Sequence, residues 1–189
     1  MPSRPPYVFI SYRHEPNTTG IVTQFYDQLR MYQQGFGLDG VFLDKDKLAA
    51  GNVWRAEVTA ALERTTHFVA MLTNGYWLSD ECHKELAYAV GRYRLEGPAA
   101  IRLLFVQVQK IAPELLAFDQ PAADANAAFV NDQLGQAFPA LKTVGDLQFL
   151  GPFDDYARLI RLPAENDPLL GDALFQLMMR LKATLPAKE

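Results

Sequence analysis

Apolar positions along the chain follow two patterns that take turns. Tyr7-Val8-Phe9-Ile10-Ser11 is a short run of β-branched and aromatic residues, and the polar, turn-prone stretch from Tyr12 to Gly20 follows it, so a buried strand and a loop are predicted. Val22, Phe25, Tyr26 and Leu29 then recur at i, i+3, i+4 and i+7, the stripe of an amphipathic helix that Gly35 and Gly37 close. Val41-Phe42-Leu43 is long enough only for a strand. The charged stretch Asp44 to Gly51 reads as a loop, and Asn52 can cap a helix that carries Trp54, Val58, Ala61 and Leu62 on one face. His67 to Leu72 is a third apolar run, broken by Thr73-Asn74-Gly75, and Ser79 or Asp80 caps a helix whose stripe is Cys82, Leu86, Val90 and Tyr93. Ile101 to Val108 predicts a fourth strand. From 111 to 132 no period is sustained, which predicts irregular helix and loop; a short strand near Leu147 to Leu150 and a last helix through Leu170, Leu174, Leu177, Met178 and Leu181 follow.

Strands that are apolar from end to end, alternating with amphipathic helices, are what a parallel sheet covered on both faces requires. The predicted class is therefore α/β, a flavodoxin-like parallel sheet with helices on both faces and right-handed crossovers. One domain is expected over 7–189, after an N-terminal tail at 1–6, with an extended C-terminal part from about 110. The chain has 189 residues, 49% hydrophobic and 21% charged, enough to bury a core without staples. Its formal net charge of -4 argues against a nucleic-acid partner, which demands a basic face. The single cysteine, Cys82, can make no internal disulfide or multi-cysteine zinc site and fits a reducing compartment. No long uncharged apolar run occurs, so a cytoplasmic protein with no membrane partner is expected.

In an open parallel sheet the ligand crevice lies beyond the carboxyl ends of the strands, where the loops after Ser11, Leu43 and Leu72 converge. Those loops hold Arg13 and His14, then Asp44 to Asp46, then the start of the helix bearing Glu81 and Glu85. No Walker or dinucleotide glycine fingerprint is present, which excludes P-loop and Rossmann phosphate cradles. Glu85 is assigned to the helix face opposite the Cys82 and Leu86 stripe. By spacing alone it is a solvated surface residue; read functionally, it is a carboxylate at the crevice with the like charge of Glu81 one turn before it and Lys84 between them. His14, His67 and His83 lie on different elements without metal-ligand spacing, so no metal site is expected. Ser11 has no nucleophile-elbow context and is assigned to a strand end, bonding backbone. Cys82 is read as a small buried hydrophobe and Trp54 as core. Asp44, at a strand end, suggests a phosphoacceptor, but the paired acidic residues of receiver domains are missing after the first strand.

Taken in order, three segments resemble the Toll/interleukin-1 receptor (TIR) domain family, bacterial-type, over roughly positions 7 to 108. Val8-Phe9-Ile10-Ser11-Tyr12-Arg13 resembles its first box; Val41-Phe42-Leu43-Asp44, with Leu48-Ala49-Ala50-Gly51 and Trp54, resembles its second strand and the mobile BB loop. Ser79-Asp80-Glu81-Cys82-His83-Lys84-Glu85-Leu86 resembles the third signature.

The resemblance implies an enzyme that cleaves NAD+ at the nicotinamide glycosidic bond, by hydrolysis or cyclisation, in immunity or antiphage defence, activated by self-association through TIR–TIR contacts, with another defence protein or domain as a further partner. NAD+ is then a substrate and no cofactor is implied. Glu85 matches the catalytic glutamate. Tyr12, Arg13, Asp44, Val53, Trp54, Trp77, Glu81 and Cys82 fall at positions expected to line the substrate site, Arg13 being suited to a phosphate. The sequence departs from the family at Glu81, where many members carry a Trp; Trp77 or Tyr76 is then expected to supply the stacking ring, and a weak enzyme that needs assembly to complete its walls is implied. Two other classes compete: a non-catalytic TIR interaction module that self-associates, and a nucleotide-processing hydrolase related to nucleoside 2-deoxyribosyltransferases.

Overall fold

The computed structural model describes residues 5–43, 52–108 and 160–185. In chain order these form strand β1 (Tyr7–Tyr12), helix α1 (Thr19–Phe36), β2 (Gly40–Leu43), α2 (Asn52–Arg64), β3 (His67–Leu72), a 3-10 turn (Tyr76–Leu78), α3 (Asp80–Glu96), β4 (Arg102–Gln107), β5 (Ile160–Arg161) and α4 (Leu170–Lys182). Among the described residues the sheet has five strands in the order β2-β1-β3-β4-β5, every pair parallel. That is the flavodoxin-like order expected from the alternation. The fifth strand comes from Ile160–Arg161; the stretch Leu147 to Leu150, the irregular segment 111–132 and the loop Asp44 to Gly51 lie outside the described residues.

Period two sorts the strand residues between two apolar layers. Phe9, Phe68, Ala70, Leu72, Leu103 and Phe105 pack with α2 and α3 residues on one face. Val8, Ile10, Tyr12, Val69, Met71, Leu104 and Val106 pack with α1 and α4 on the other. The expected stripes hold: Val22, Phe25 and Leu29 of α1, Cys82, Leu86 and Val90 of α3, and Leu170, Leu174, Leu177, Met178 and Leu181 of α4 are buried. Helix α1 closes at Gly37, whose φ of 70° is left-handed and suits glycine. Ser79 caps α3, its hydroxyl accepting from the Cys82 N–H at 3.4 Å.

Two polar clasps tie helices to this frame. Arg92 of α3 is buried, and its Nη1 donates to the carbonyl of Leu62 at 3.0 Å, which also accepts from the Thr65 N–H at 3.2 Å, and to the carbonyl of Thr65 at 2.8 Å, just past the end of α2. Glu96 completes the fork, accepting at 2.9 and 3.0 Å. The second clasp is at His67. The Thr184 hydroxyl donates to the Leu181 carbonyl at 2.6 Å, so its oxygen accepts from His67 Nε2–H at 2.7 Å; Nδ1 then accepts from the Thr66 hydroxyl at 2.8 Å. Neutral His67 is thus satisfied at both nitrogens. Burial, reinforced by the positive charge of Arg102, lowers its pKa to about 4 from 6.5.

Two outcomes follow from the clasps. Arg92→Ala should lower stability by about 2–3 kcal/mol in urea denaturation, since it takes the donor from the Thr65 carbonyl and the fork from Glu96, and Arg92→Lys should recover only part because it lacks the fork. For His67 the folded form binds its proton less readily than the unfolded chain. Its contribution is unimpaired above the unfolded value of 6.5 and is lost as pH falls toward about 4. Stability should decline across that window by up to roughly 3 kcal/mol, and His67→Gln should flatten the decline.

Candidate active site

The crevice-forming loops do meet. A side chain on Gly75, in the loop after β3, would collide with the Glu15 carboxylate and come within 3.2 Å of Arg13 Cγ, so the loops after β1 and β3 touch. Arg13 itself is exposed there. Tyr12 is placed differently from the expectation: it is 3% exposed and packs in the α1/α4 layer, with its ring 5.2 Å from that of His14. Alternation is the reason, because of two adjacent strand residues only one can face α3, and here that residue is Ser11.

Glu85 is not on a solvated face. It is 4% exposed, and its Oε2 accepts a hydrogen bond from the Ser11 hydroxyl at 2.5 Å; that hydroxyl also lies 3.1 Å from the Tyr76 phenol oxygen. At about 100° per helical residue Glu85 stands only about 60° from Cys82, on the shoulder of the buried stripe and not opposite it. The expectation that Ser11 bonds backbone is likewise corrected, its partners being the Glu85 and Tyr76 side chains. The sheet makes room for this contact. Phe9 and Phe68 are register partners and stack at 5.6 Å, whereas the next pair on the same face, Ser11 and Ala70, is small. The α2/α3 face is therefore hollowed at its carboxyl end, where Glu85 reaches the strand. Burial pushes the Tyr76 phenol well above its ordinary 10.0, helped by Cys82 and Glu85 and opposed by the Ser11 hydrogen bond.

On its other side Glu85 lines a cavity of about 380 Å³ between α2 and α3, together with Val58, Thr59, Leu62, Glu81, Lys84 and Tyr88. Glu81, Lys84, Glu85 and Tyr88 form one stripe of α3 at i, i+3, i+4 and i+7. Glu81 is engaged by Lys84 at 2.8 Å across the surface. Cys82 is fully buried in the core. Trp77 and Tyr76 are core side chains as well, 8% and 0% exposed, and neither lines this cavity; the aromatic that does is Tyr88, 38% exposed, which the sequence reading missed although it stands three residues after Glu85. Val53 and Trp54 belong to the first turn of α2, with side chains outside the described residues, and Asp44 lies outside them altogether. Among the described residues no three His, Cys, Asp or Glu side chains gather as a metal site would require, and no helix is long and apolar enough to cross a membrane.

Comparison with known proteins agrees with the parallel 2-1-3-4-5 sheet. A family model described as "TIR domain" matches residues 8–140. The chain belongs to the TIR domain family. Among solved structures it is similar to the TIR domains of the activated Roq1 resistosome directly recognizing the pathogen effector XopQ, at 14% identity and a TM-score of 0.56, covering 93% of this chain and 98% of that one. At that identity the likeness is one of fold. No curated protein matches.

Because the Ser11 proton has Glu85 as its acceptor in a buried setting, removing the carboxylate should cost stability. Glu85→Ala is expected to destabilise this TIR domain by about 1–3 kcal/mol in thermal or urea unfolding, whereas Glu85→Gln, which keeps an acceptor, should stay much closer to wild type.

Proposed function

We propose that this TIR domain cleaves NAD+ between nicotinamide and ribose, with Glu85 as its catalytic residue. The observation that supports this most directly is a buried carboxylate, fixed by a serine hydroxyl, that also lines an open cavity of about 380 Å³. Nicotinamide departs with the bonding electron pair and becomes neutral, so no general acid is needed. Positive charge develops on the ribose, and a preorganised carboxylate stabilises it more in the transition state than in the ground state. Water then adds at the anomeric carbon and its proton passes to solvent, giving ADP-ribose; attack by a nitrogen of the adenine gives the cyclic form instead. One carboxylate suffices, in contrast to the pair that ordinary glycosidases need. Arg13, exposed at the loop edge, is suited to the diphosphate, and a role in immunity or defence belongs to the same proposal.

Self-association is part of the proposal too. Tyr32, Phe175 and Met179 are large apolar side chains left exposed, and with Phe36 they line a groove of about 310 Å³ between α1 and α4, across the sheet from Glu85. A second copy of the chain is the occupant proposed, and these side chains equally favour the second reading, a TIR module that acts by association alone.

Incubation of the purified chain with NAD+, with products resolved by mass spectrometry, decides between the readings. Turnover should be present and should rise faster than linearly with protein concentration. Glu85→Gln is expected to lose about a hundredfold or more in kcat. Equal turnover by folded Glu85→Gln would remove Glu85 from the chemistry and leave the association module.

A further inference from the structure

We infer that Ser11 is the positioning residue for Glu85, and that Tyr76, Ser11 and Glu85 form a one-way hydrogen-bond chain that holds this carboxylate ionised and in one orientation. The inference deepens the catalytic reading of Glu85 and rests on it for its effect on rate. It follows from counting protons. Ser11 Oγ has one proton and two neighbours, Glu85 Oε2 at 2.5 Å and the Tyr76 oxygen at 3.1 Å. An ionised carboxylate can only accept, so the serine proton goes to Glu85 and the serine oxygen is left to accept from the Tyr76 O–H. Every proton in the chain then has an acceptor.

A neutral Glu85 would keep only a weaker form of this bond: protonated on Oε1, it still accepts from Ser11 through Oε2, but as an uncharged carbonyl oxygen. Tyr76, Ser11 and Glu85 are 0%, 1% and 4% exposed, so bulk water does not substitute for a missing partner. Tyr76 keeps its proton, since burial opposes the phenolate. The Ser11 bond therefore holds the charged state of Glu85 more strongly than the neutral one. It also fixes the plane of the carboxylate from the strand side, which a helix rotamer alone would not do.

Among the described residues, the titratable and charged groups facing this carboxylate come from two elements. The 3-10 turn supplies Tyr76, and α3 supplies Glu81, Lys84 and Tyr88 along the cavity and Cys82 beside Tyr76; the cavity wall of α2 contributes Val58, Thr59 and Leu62, none of them charged. Glu81 and Lys84 offset one another as a pair. The orienting bond comes from β1.

The test titrates the Glu85 carboxyl by carbon-13 NMR in wild type, Ser11→Ala, Ser11→Thr and Tyr76→Phe, and measures kcat and KM for NAD+ across pH in the same proteins. Ser11→Ala should raise the Glu85 pKa by about one pH unit or more, because a hydrogen bond to the charged form is lost. Its kcat should fall about tenfold with KM within about threefold, and the acid limb of the rate profile should move up with the titration. Tyr76→Phe should shift both in the same direction by less, and Ser11→Thr, which keeps the hydroxyl, should return both toward wild type. A folded Ser11→Ala protein with an unmoved Glu85 titration overturns the chain, as does a kcat loss with no movement of the limb. Should Ser11→Ala fail to fold, Tyr76→Phe decides by the same two readouts. A wild type without NAD+ turnover overturns the catalytic reading, while the Glu85 titration still supports or overturns the chain itself.

Discussion

The constraint on which this molecule depends is that a parallel strand covered on both faces must divide its side chains strictly between two layers. Once Phe9 stacks on Phe68 beneath α2 and α3, Ser11 must share that layer and Tyr12 must enter the other one. A polar side chain in a closed layer needs a partner from that same layer. Glu85 and Tyr76 are that partner set, and so the chemistry of the site is decided by the phase of a strand as much as by the helix that carries the acid.

Most of the fold was legible because each element states its period clearly. The runs at Tyr7, Val41, His67 and Ile101 are too short for helices and too apolar for loops, and the stripes of α1, α3 and α4 repeat at helical spacing. Less of the site could be read. A stripe defined by its apolar members, Cys82, Leu86 and Val90, hides the polar residues that share its shoulders, and α3 buries Glu85, His83 and Arg92 as well. Helix α3 is buried over a wider arc than its apolar residues suggest, because it is wedged between the sheet and α2 and each of its flanks meets protein.

Signals that could have located the site do exist in the sequence. Ser11 stands in phase with Phe9 on an otherwise apolar strand, and a lone hydroxyl in that phase asks for a polar neighbour across the layer. Ala70 is a small residue two positions after Phe68, which marks a shallow place in the same face. Tyr88 falls on the Glu81, Lys84 and Glu85 stripe and so comes to the cavity, whereas Trp77 follows β3 directly and is drawn into the core. What no single-chain pattern states is the long-range pairing itself: Ser11 and Glu85 are separated by 74 positions, and only the crossover of β3 next to β1 brings the start of α3 over the end of the first strand.

The two buried charged side chains of α3 show how such a helix can hold an acid without being unfolded by it. Arg92 is surrounded by acceptors, the α2 carbonyls and Glu96, so its charge is met in full and its role is to fix α2 against α3. The hydroxyl chain meets Glu85 from one side, through Ser11, and on the other side the residue borders the cavity. A charge compensated on every side would have no reason to attract a developing cation, and a charge left uncompensated would take up a proton. The catalytic role proposed for Glu85 asks for a balance between these limits, a carboxylate held ionised by its neighbours and still open to a positive partner on the cavity side. The clasp at Arg92 keeps α2 and α3 in fixed relation while the cavity between them stays open, so the stability of the helix pair does not rest on filling that space.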